Sequence, residues 1–456
     1  MNGTVRSPVF RDASESLNAP RDSAGQASGS AADALLCVGI SHRTAPIALR
    51  ERLYLAAPRL VALLTRFAAQ RHGVATGRSG ELVVLSTCNR LELYAIGAPR
   101  EAELVLLIVE ATGVSASELA PTLYQCHGAD VVRHLGRVAA GLESMVVGEP
   151  QILGQVADAY STAVAHGAAA HGLEALFRSA VSAGRRVRNE TGIGRQAATL
   201  SSLAVCVAAE VVADLAAAST LVIGAGEMGE HALATLHDRG IRDLCLVSRT
   251  RARAERLASR FGARTVSLDA LPAALAVADV VLCAAAAPVP VVTRAMVASA
   301  MEARPARPLL LLDVGVPRNV EPAAATVPMV RCYDLDELHG AAADGRISQP
   351  EEYPRAEAIV VTEAGRCVAE LQRLHVQPLI AEWRAQADGI RDALLKTTLH
   401  RFEHLSDADR ASLEAFSHAL VKRILHTPTA RLRTAAERGQ SAGYALAMRH
   451  LFDLDA

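Results

Sequence analysis

Between residues 35 and 128 the chain alternates short apolar runs with segments of helical spacing. LLCVGI (35–40), ELVVLST (81–87), LELYAIG (91–97) and TLYQCHG (122–128) have the length and apolar content of strands. PIALRERLYLAAPRLVALLTRFAAQ (46–70) shows apolar positions at helical spacing behind a proline. EAELVLLIVEATG (101–113) does so ahead of a closing glycine. The order strand, helix, strand, strand, helix, strand predicts a ferredoxin-like βαββαβ unit. Residues 129–218 read as helices, interrupted by the polar stretch GLESMVVGEPQILGQ (141–155); a helix–loop–helix with proline at a helix start would account for it. From 219 to 335 strands and helices alternate again, as a doubly wound parallel sheet requires. Beyond 350 the pattern is helical, with one long helix expected over 353–386 and a small bundle after it, a plan suited to self-association.

Composition narrows the class. Half of the 456 residues are apolar and the net charge is −1, an ordinary globular balance. No apolar run is long enough to span a bilayer, so no membrane partner is expected. Nucleic acid, if bound, must be held by local basic patches rather than by a global field. The eight cysteines are scattered without metal-ligand or disulfide-framework spacing, which predicts no metal and favours a reducing cytoplasm. Lys396 and Lys422 are the only lysines, so Schiff-base catalysis in the first half of the chain is excluded. Residues 1–33 are rich in Ser, Ala, Asp and Gly and read as a disordered extension. They lack the apolar core of a secretory signal, and Asp12, Glu15 and Asp22 speak against an organellar transit peptide.

Two short stretches carry chemistry. GAGEMG (Gly224, Ala225, Gly226, Glu227, Met228, Gly229) follows the apolar strand TLVI and opens a helix, the context of a dinucleotide loop. Gly224 permits the tight turn, Gly226 lets backbone approach a pyrophosphate, and Gly229 lets helix and strand pack closely. At the end of the next strand the chain reads Ser248, Arg249, Thr250, Arg251, where an NAD site would usually place an acid for the ribose hydroxyl. Hydroxyls and cations there suit a 2′-phosphate, so NADPH is the expected cofactor and reduction the expected direction. The second stretch is STCNRLELY, with Cys88 next to Asn89 and Arg90 where a strand stops. A free thiol is only about 3% ionised at neutral pH, and Arg90 is the neighbouring cation that could raise that fraction. A thiolate beside NADPH would take an activated acyl group and present it for reduction to an aldehyde. Spacing alone leaves Cys88 either a nucleophile or a buried small hydrophobe.

The strings GISHRTAPIALRERL, LSTCNRLELY, VRHLGRVAAGLESMVVGEPQILGQVADAY, LVIGAGEMGE, DVGVPRNVEP and HTPTARLR resemble the glutamyl-tRNA reductase family, from residue 36 to about 435. Members of this family carry out the first step of the five-carbon route to 5-aminolevulinate and tetrapyrroles. The resemblance implies that Cys88 attacks the ester carbonyl of glutamyl-tRNA. NADPH then reduces the cysteinyl thioester to glutamate-1-semialdehyde. It implies substrate contacts at Thr87, Asn89 and Arg90, with Arg90 gripping the glutamate carboxylate, and at Ser144, Glu149, Pro150, Gln151 and Gln155. His134 matches a histidine important for activity, although a lone histidine on a helix face more often just bonds a neighbour. The implied plan is a catalytic domain over 34–165, a Rossmann NADPH domain with flanking helices over 166–345, and a spinal helix with a dimerisation domain over 346–456. Implied partners are glutamyl-tRNA, a second copy of the chain and, transiently, the downstream aminomutase.

The stretch Cys283–Ala287 (CAAAA) departs from the family pattern, which is expected to be richer in Ser/Thr with a histidine, and would shift contacts at the nicotinamide end. Two other readings stay open. One is a shikimate-dehydrogenase-like oxidoreductase, weakened by the lack of lysine in the first domain. The other is a non-catalytic NADPH- or tRNA-binding regulator. Arginine-rich segments at 185–195 and 423–433 are the expected phosphate contacts.

Overall fold

The computed structural model describes residues 11–12, 34–73, 80–97, 99–193, 199–343, 352–401 and 405–454. The expected disordered extension therefore lies outside the described residues, except for Arg11 and Asp12, which pair antiparallel with Gln125 and Tyr124.

Besides that two-residue edge strand, the first sheet has four strands: β1 (Leu35–Ser41), β2 (Glu81–Ser86), β3 (Arg90–Ile96) and β4 (Tyr124–His127). Their order is β4-β1-β3-β2, antiparallel throughout, the arrangement of a ferredoxin-like βαββαβ unit. The expected helix over 46–70 is two helices, α1 (Ile47–Leu53) and α2 (Ala57–Gly73). Pro58 has no N–H to continue the first helix and instead opens the second. After α3 (Glu101–Thr112), the sheet is covered by α4 (Ala129–Ala139), α5 (Gln151–Ala165) and α6 (His171–Glu190). One apolar cluster runs from Leu35 to Ala180, so the boundary expected at 165/166 falls inside a single core. Helix α6 carries Leu173, Leu176, Phe177 and Ala180 into that core, which places it with the first domain.

The second sheet is parallel and six-stranded. Its strands are β5 (Thr220–Ile223), β6 (Leu244–Val247), β7 (Arg264–Val266), β8 (Val280–Cys283), β9 (Leu309–Asp313) and β10 (Val330–Tyr333), in the order β10-β9-β8-β5-β6-β7. Alternate strand residues feed two separate cores. Val222, Leu246, Leu282 and Leu312 enter one, while Leu221, Cys245, Val281 and Leu311 enter the other. Ile47, Met145 and Val146 of the first domain complete the former core, so the two domains share apolar contact.

The long helix expected over 353–386 breaks at Val376 into α13 (Tyr353–His375) and α14 (Gln377–Arg401), reckoning α7 (Leu200–Val211), α8 (Glu227–Asp238), α9 (Arg251–Phe261), α10 (Leu271–Val277), α11 (Arg294–Glu302) and α12 (Leu335–Ala343) before them. Pro378 again marks the break. Helix α13 packs along α4 and α6 and lends Cys367 and Leu371 to the first core. The terminal helices α15 (Asp407–Glu437) and α16 (Ser441–Phe452) fold back on α14 around Trp383, Leu425 and Leu432. Ile390, Leu394, Phe416, Leu420 and Ile424 stay exposed on this bundle. Among the described residues no helix is long and apolar enough to cross a membrane.

Candidate active site

Strands β2 and β3 are joined by a tight turn, Thr87–Cys88–Asn89–Arg90. The Thr87 N–H donates to the Arg90 carbonyl at 2.9 Å, and the N–H groups of Asn89 and Arg90 both donate to Thr87 Oγ1 at 3.2 Å. Thr87 thus satisfies the donors that the turn leaves over. The His42 N–H pins the turn from outside by donating to the Asn89 carbonyl at 2.9 Å. Cys88 sits at the tip and is half-buried, whereas Cys37, Cys126, Cys245, Cys283 and Cys367 are buried.

Beneath the turn lies a buried charge network. Arg90 donates to Glu92 Oε1 at 2.8 Å and to the Glu143 carbonyl. Glu92, fully buried, also accepts from Tyr94 at 2.6 Å, from Tyr124, and bonds His134 Nε2 at 3.0 Å. Burial opposes ionisation of Glu92, but Arg90 and His134 outweigh it and hold its carboxyl well below the usual range. Glu143 is in turn held by Arg43 at 2.6 Å and Arg137 at 2.7 Å. His134 therefore stands behind Arg90, packed beside Tyr94 and Tyr124, where its bond to Glu92 orients the network.

The electrostatics at Cys88 differ from the sequence expectation. Burial and then the Glu149 carboxylate push the thiol up to about 12, and the cation that opposes them most is Arg50, ahead of Arg90. Arg50, on α1, is buried; it donates to Asn89 Oδ1 at 3.0 Å and to Asp336 of the second domain. Asp336 also accepts the Ile47 N–H at 2.7 Å, and Glu51 pairs with Arg318 at 2.7 Å. His42 and His339 meet edge to face beside these pairs, 5.6 Å between centroids. The two domains are thus seated on each other next to the cysteine turn.

Ser144 and Glu149 are buried on the segment that carries Glu143, and the Ser144 hydroxyl bonds the Glu149 carboxylate. Burial raises the Glu149 carboxyl, with Arg90 opposing. Pro150 is exposed and caps the start of α5; Gln151 and Gln155 are half-buried one helical turn apart on it. Of the arginines expected to contact phosphate, Arg186 is paired with Glu190 and Glu363, and Arg188 donates to the Glu149 carbonyl. Arg185, Arg423 and Arg431 are exposed.

The glycine loop connects β5 to α8. Gly224 has φ +113°, and a Cβ there would lie 2.5 Å from the Ala284 carbonyl oxygen. A Cβ on Gly229 would lie 1.9 Å from the Gly224 carbonyl oxygen, while at Gly226 it would meet nothing. Gly226 caps the helix and Ala225 is buried beneath the loop, with Glu227 and Met228 opening α8. The open face at Gly226 is a fit for a pyrophosphate at a helix start. Ser248 is half-buried, and Arg249 and Thr250 are exposed just beyond β6. Arg249 donates to the Ala286 carbonyl at 2.9 Å. The departing stretch Cys283–Ala287 is braced by Asn319, whose Oδ1 accepts the Ala285 N–H at 2.7 Å. Among the described residues no group of side chains could hold a metal ion.

Sequence reasoning did not single out Arg50, Glu92, Glu143 or Asp336. Glu92 had a signal, a carboxylate at an inward position of an apolar strand. Arg50 had one too, a cation among Ile47, Leu49 and Leu53 on the buried face of α1.

Comparison with known proteins shows what the chain is similar to. Residues 38–191 match the N-terminal domain of glutamyl-tRNAGlu reductase, 206–341 match shikimate/quinate 5-dehydrogenase, and 355–454 match the glutamyl-tRNAGlu reductase dimerisation domain. The chain is 37% identical to glutamyl-tRNA reductase of Syntrophotalea carbinolica, over 92% of this chain and 94% of that one. It is 39% identical to that of Salinispora tropica, over 92% of each chain. The solved glutamyl-tRNA reductase of Methanopyrus kandleri is 33% identical, with 90% of this chain and 98% of that chain covered and a TM-score of 0.49. On its identity to the Syntrophotalea and Salinispora proteins along nearly its whole length, the chain belongs to the glutamyl-tRNA reductase family.

Proposed function

We propose that this protein reduces the glutamyl group of glutamyl-tRNA to glutamate-1-semialdehyde with NADPH and releases tRNA. The observation that carries the reading is Cys88 at the tip of a braced turn, half-buried, with the buried Arg50 and Arg90 as the cations that act on it. The Cys88 sulfur bonds to the ester carbon, and the ribose oxygen leaves with the thiol proton. Ester activation suits a thiol that the site keeps protonated at neutral pH, because the proton departs only as the new bond forms. Thr87 and Asn89 hold the turn in shape. Arg90, kept charged by Glu92, faces the substrate carboxylate, with Glu149, Ser144, Gln151 and Gln155 lining the approach beside Pro150. His134 acts on the reaction through Glu92 and Arg90, as a positioning residue.

Gly224, Ala225, Gly226, Glu227, Met228 and Gly229 would hold the pyrophosphate, and Ser248, Arg249 and Thr250 the 2′-phosphate. When bound, the nicotinamide supplies the hydride that takes the thioester to the aldehyde and returns the sulfur. The exposed apolar residues of α14 and α15 form the contact of a homodimer, and a reactive aldehyde product favours hand-over to an aminomutase. All eight cysteines are free thiols, which suits work in a reducing cytoplasm.

The test is an acid quench of the protein with radiolabelled glutamyl-tRNA and no NADPH. Label on the peptide that carries residue 88, discharged as semialdehyde when NADPH is added, is the expected result. Label that never joins the protein, or joins it elsewhere, would refute the reading.

A further inference from the structure

We propose that Arg50 and the side-chain amide of Asn89 form the oxyanion site for the acyl group that Cys88 receives. This rests on the reading of Cys88 as the nucleophile. Arg50 and Asn89 are 3% and 4% exposed. Arg50 Nη1 donates to Asn89 Oδ1 at 3.0 Å, and Nη2 donates to Asp336. These contacts fix both groups. With Oδ1 turned to Arg50, the amide NH2 faces away from it. Arg50 Nε and Asn89 Nδ2 are then left buried with no acceptor. A buried donor without a partner is costly, and here one belongs to the residue after Cys88 and the other to the arginine bonded to that residue.

The missing partner is defined by chemistry. It must be an acceptor, it must reach the turn, and it gains from negative charge because Arg50 is a cation. The ester carbonyl oxygen meets all three conditions. As the sulfur–carbon bond forms, the carbonyl π pair moves onto oxygen, and that oxyanion receives the two N–H groups. Collapse restores the carbonyl and breaks the bond to the ribose oxygen, which leaves with the thiol proton. No further reactant is consumed. Asp336 does not touch the acyl group; it is the positioning residue through which the dinucleotide domain sets the angle of Arg50.

The test compares two reactions of the same sulfur in Arg50→Lys and Asn89→Ala. One is single-turnover transfer of glutamate from glutamyl-tRNA to Cys88 without NADPH. The other is alkylation of Cys88 by iodoacetamide, which displaces iodide from a saturated carbon and forms no oxyanion. R50K keeps the positive charge and a partner for Asp336. Acylation should fall about 100-fold in R50K and about tenfold or more in N89A. The glutamyl-tRNA concentration for half-maximal rate and the rate of alkylation should stay as in the wild type. Wild-type acylation in these variants overturns the proposal. So does a joint fall of acylation and alkylation, which makes Arg50 a partner of the thiolate. So does a rise in half-saturating concentration alone, which makes it a carboxylate binder. Should R50K not fold, N89A carries the test, since Arg50 keeps its bond to Asp336. A wild type that takes no label on Cys88 overturns the nucleophile and this proposal together; a labelled wild type with unimpaired variants overturns this proposal only.

Discussion

The glycine loop after β5 and the cysteine turn between β2 and β3 both sit at strand ends, yet they are built from different materials. The loop is a backbone device. Its shape follows from six consecutive residues, and the missing Cβ atoms of Gly224 and Gly229 are what let the chain pass close to itself. The turn is a side-chain device. Its backbone is local, but its chemistry depends on Arg50, Glu92, His134, Glu143, Glu149 and Asp336, drawn from helices, a strand, a loop and a second domain. A site made of backbone tolerates change nearly everywhere except at its glycines. A site made of buried charges fails wherever one partner is removed.

The sharpest break between the two is Cys88→Ser. It should lower turnover by at least about a thousandfold, because the hydroxyl is a far weaker acid and nucleophile, while nucleotide binding measured by fluorescence stays unchanged. Next comes Glu92→Gln, which strands the Arg90 guanidinium and His134 in the core. The first-domain unfolding transition in urea should lose about 3 kcal/mol. Gly229→Ala forces a Cβ to within 1.9 Å of the Gly224 carbonyl oxygen and should weaken nucleotide binding about 100-fold. Labelled glutamate should nevertheless accumulate on its Cys88 as in the wild type, and a loss of that label would show the two sites are not separable.

Acidity gives a smaller, graded test. With the thiol pushed up to about 12, Cys88 is protonated across the neutral range. Its alkylation rate should therefore rise about tenfold per pH unit from pH 7 to 9 without a plateau. A plateau below pH 9 would mean that Arg50 outweighs burial and Glu149. The smallest effect is expected at Arg249→Ser. That exposed cation should account for about a fivefold share of any preference for NADPH over NADH, read as the ratio of the two dissociation constants.

Much of the plan was legible before any coordinates. The βαββαβ order, the parallel sheet and the glycine loop each follow from periodicity and punctuation within short windows. Three features escaped for one reason, that they depend on what lies opposite. Pro58 and Pro378 each split a helix that apolar spacing alone runs together, since an amphipathic stripe continues across a break when both halves face one core. Helix α6 joins the first domain because Leu173, Leu176 and Phe177 fit the core left by the sheet and α4, and sequence adjacency to the second domain carries no information about that fit. Arg90 is next to Cys88 in the chain and was the obvious cation for it, yet Glu92 and the Glu143 carbonyl hold it, leaving Arg50 in the larger role.

By itself the sequence determined the elements and the glycine loop and singled out Cys88 as the candidate sulfur, because these rest on local backbone geometry and on the chemistry of single side chains. Only the tertiary structure decided which charges surround that sulfur and where the domains meet. Coulomb interactions and burial depend on distance through space, and residues 50 and 149 become neighbours of position 88 only when the chain is folded.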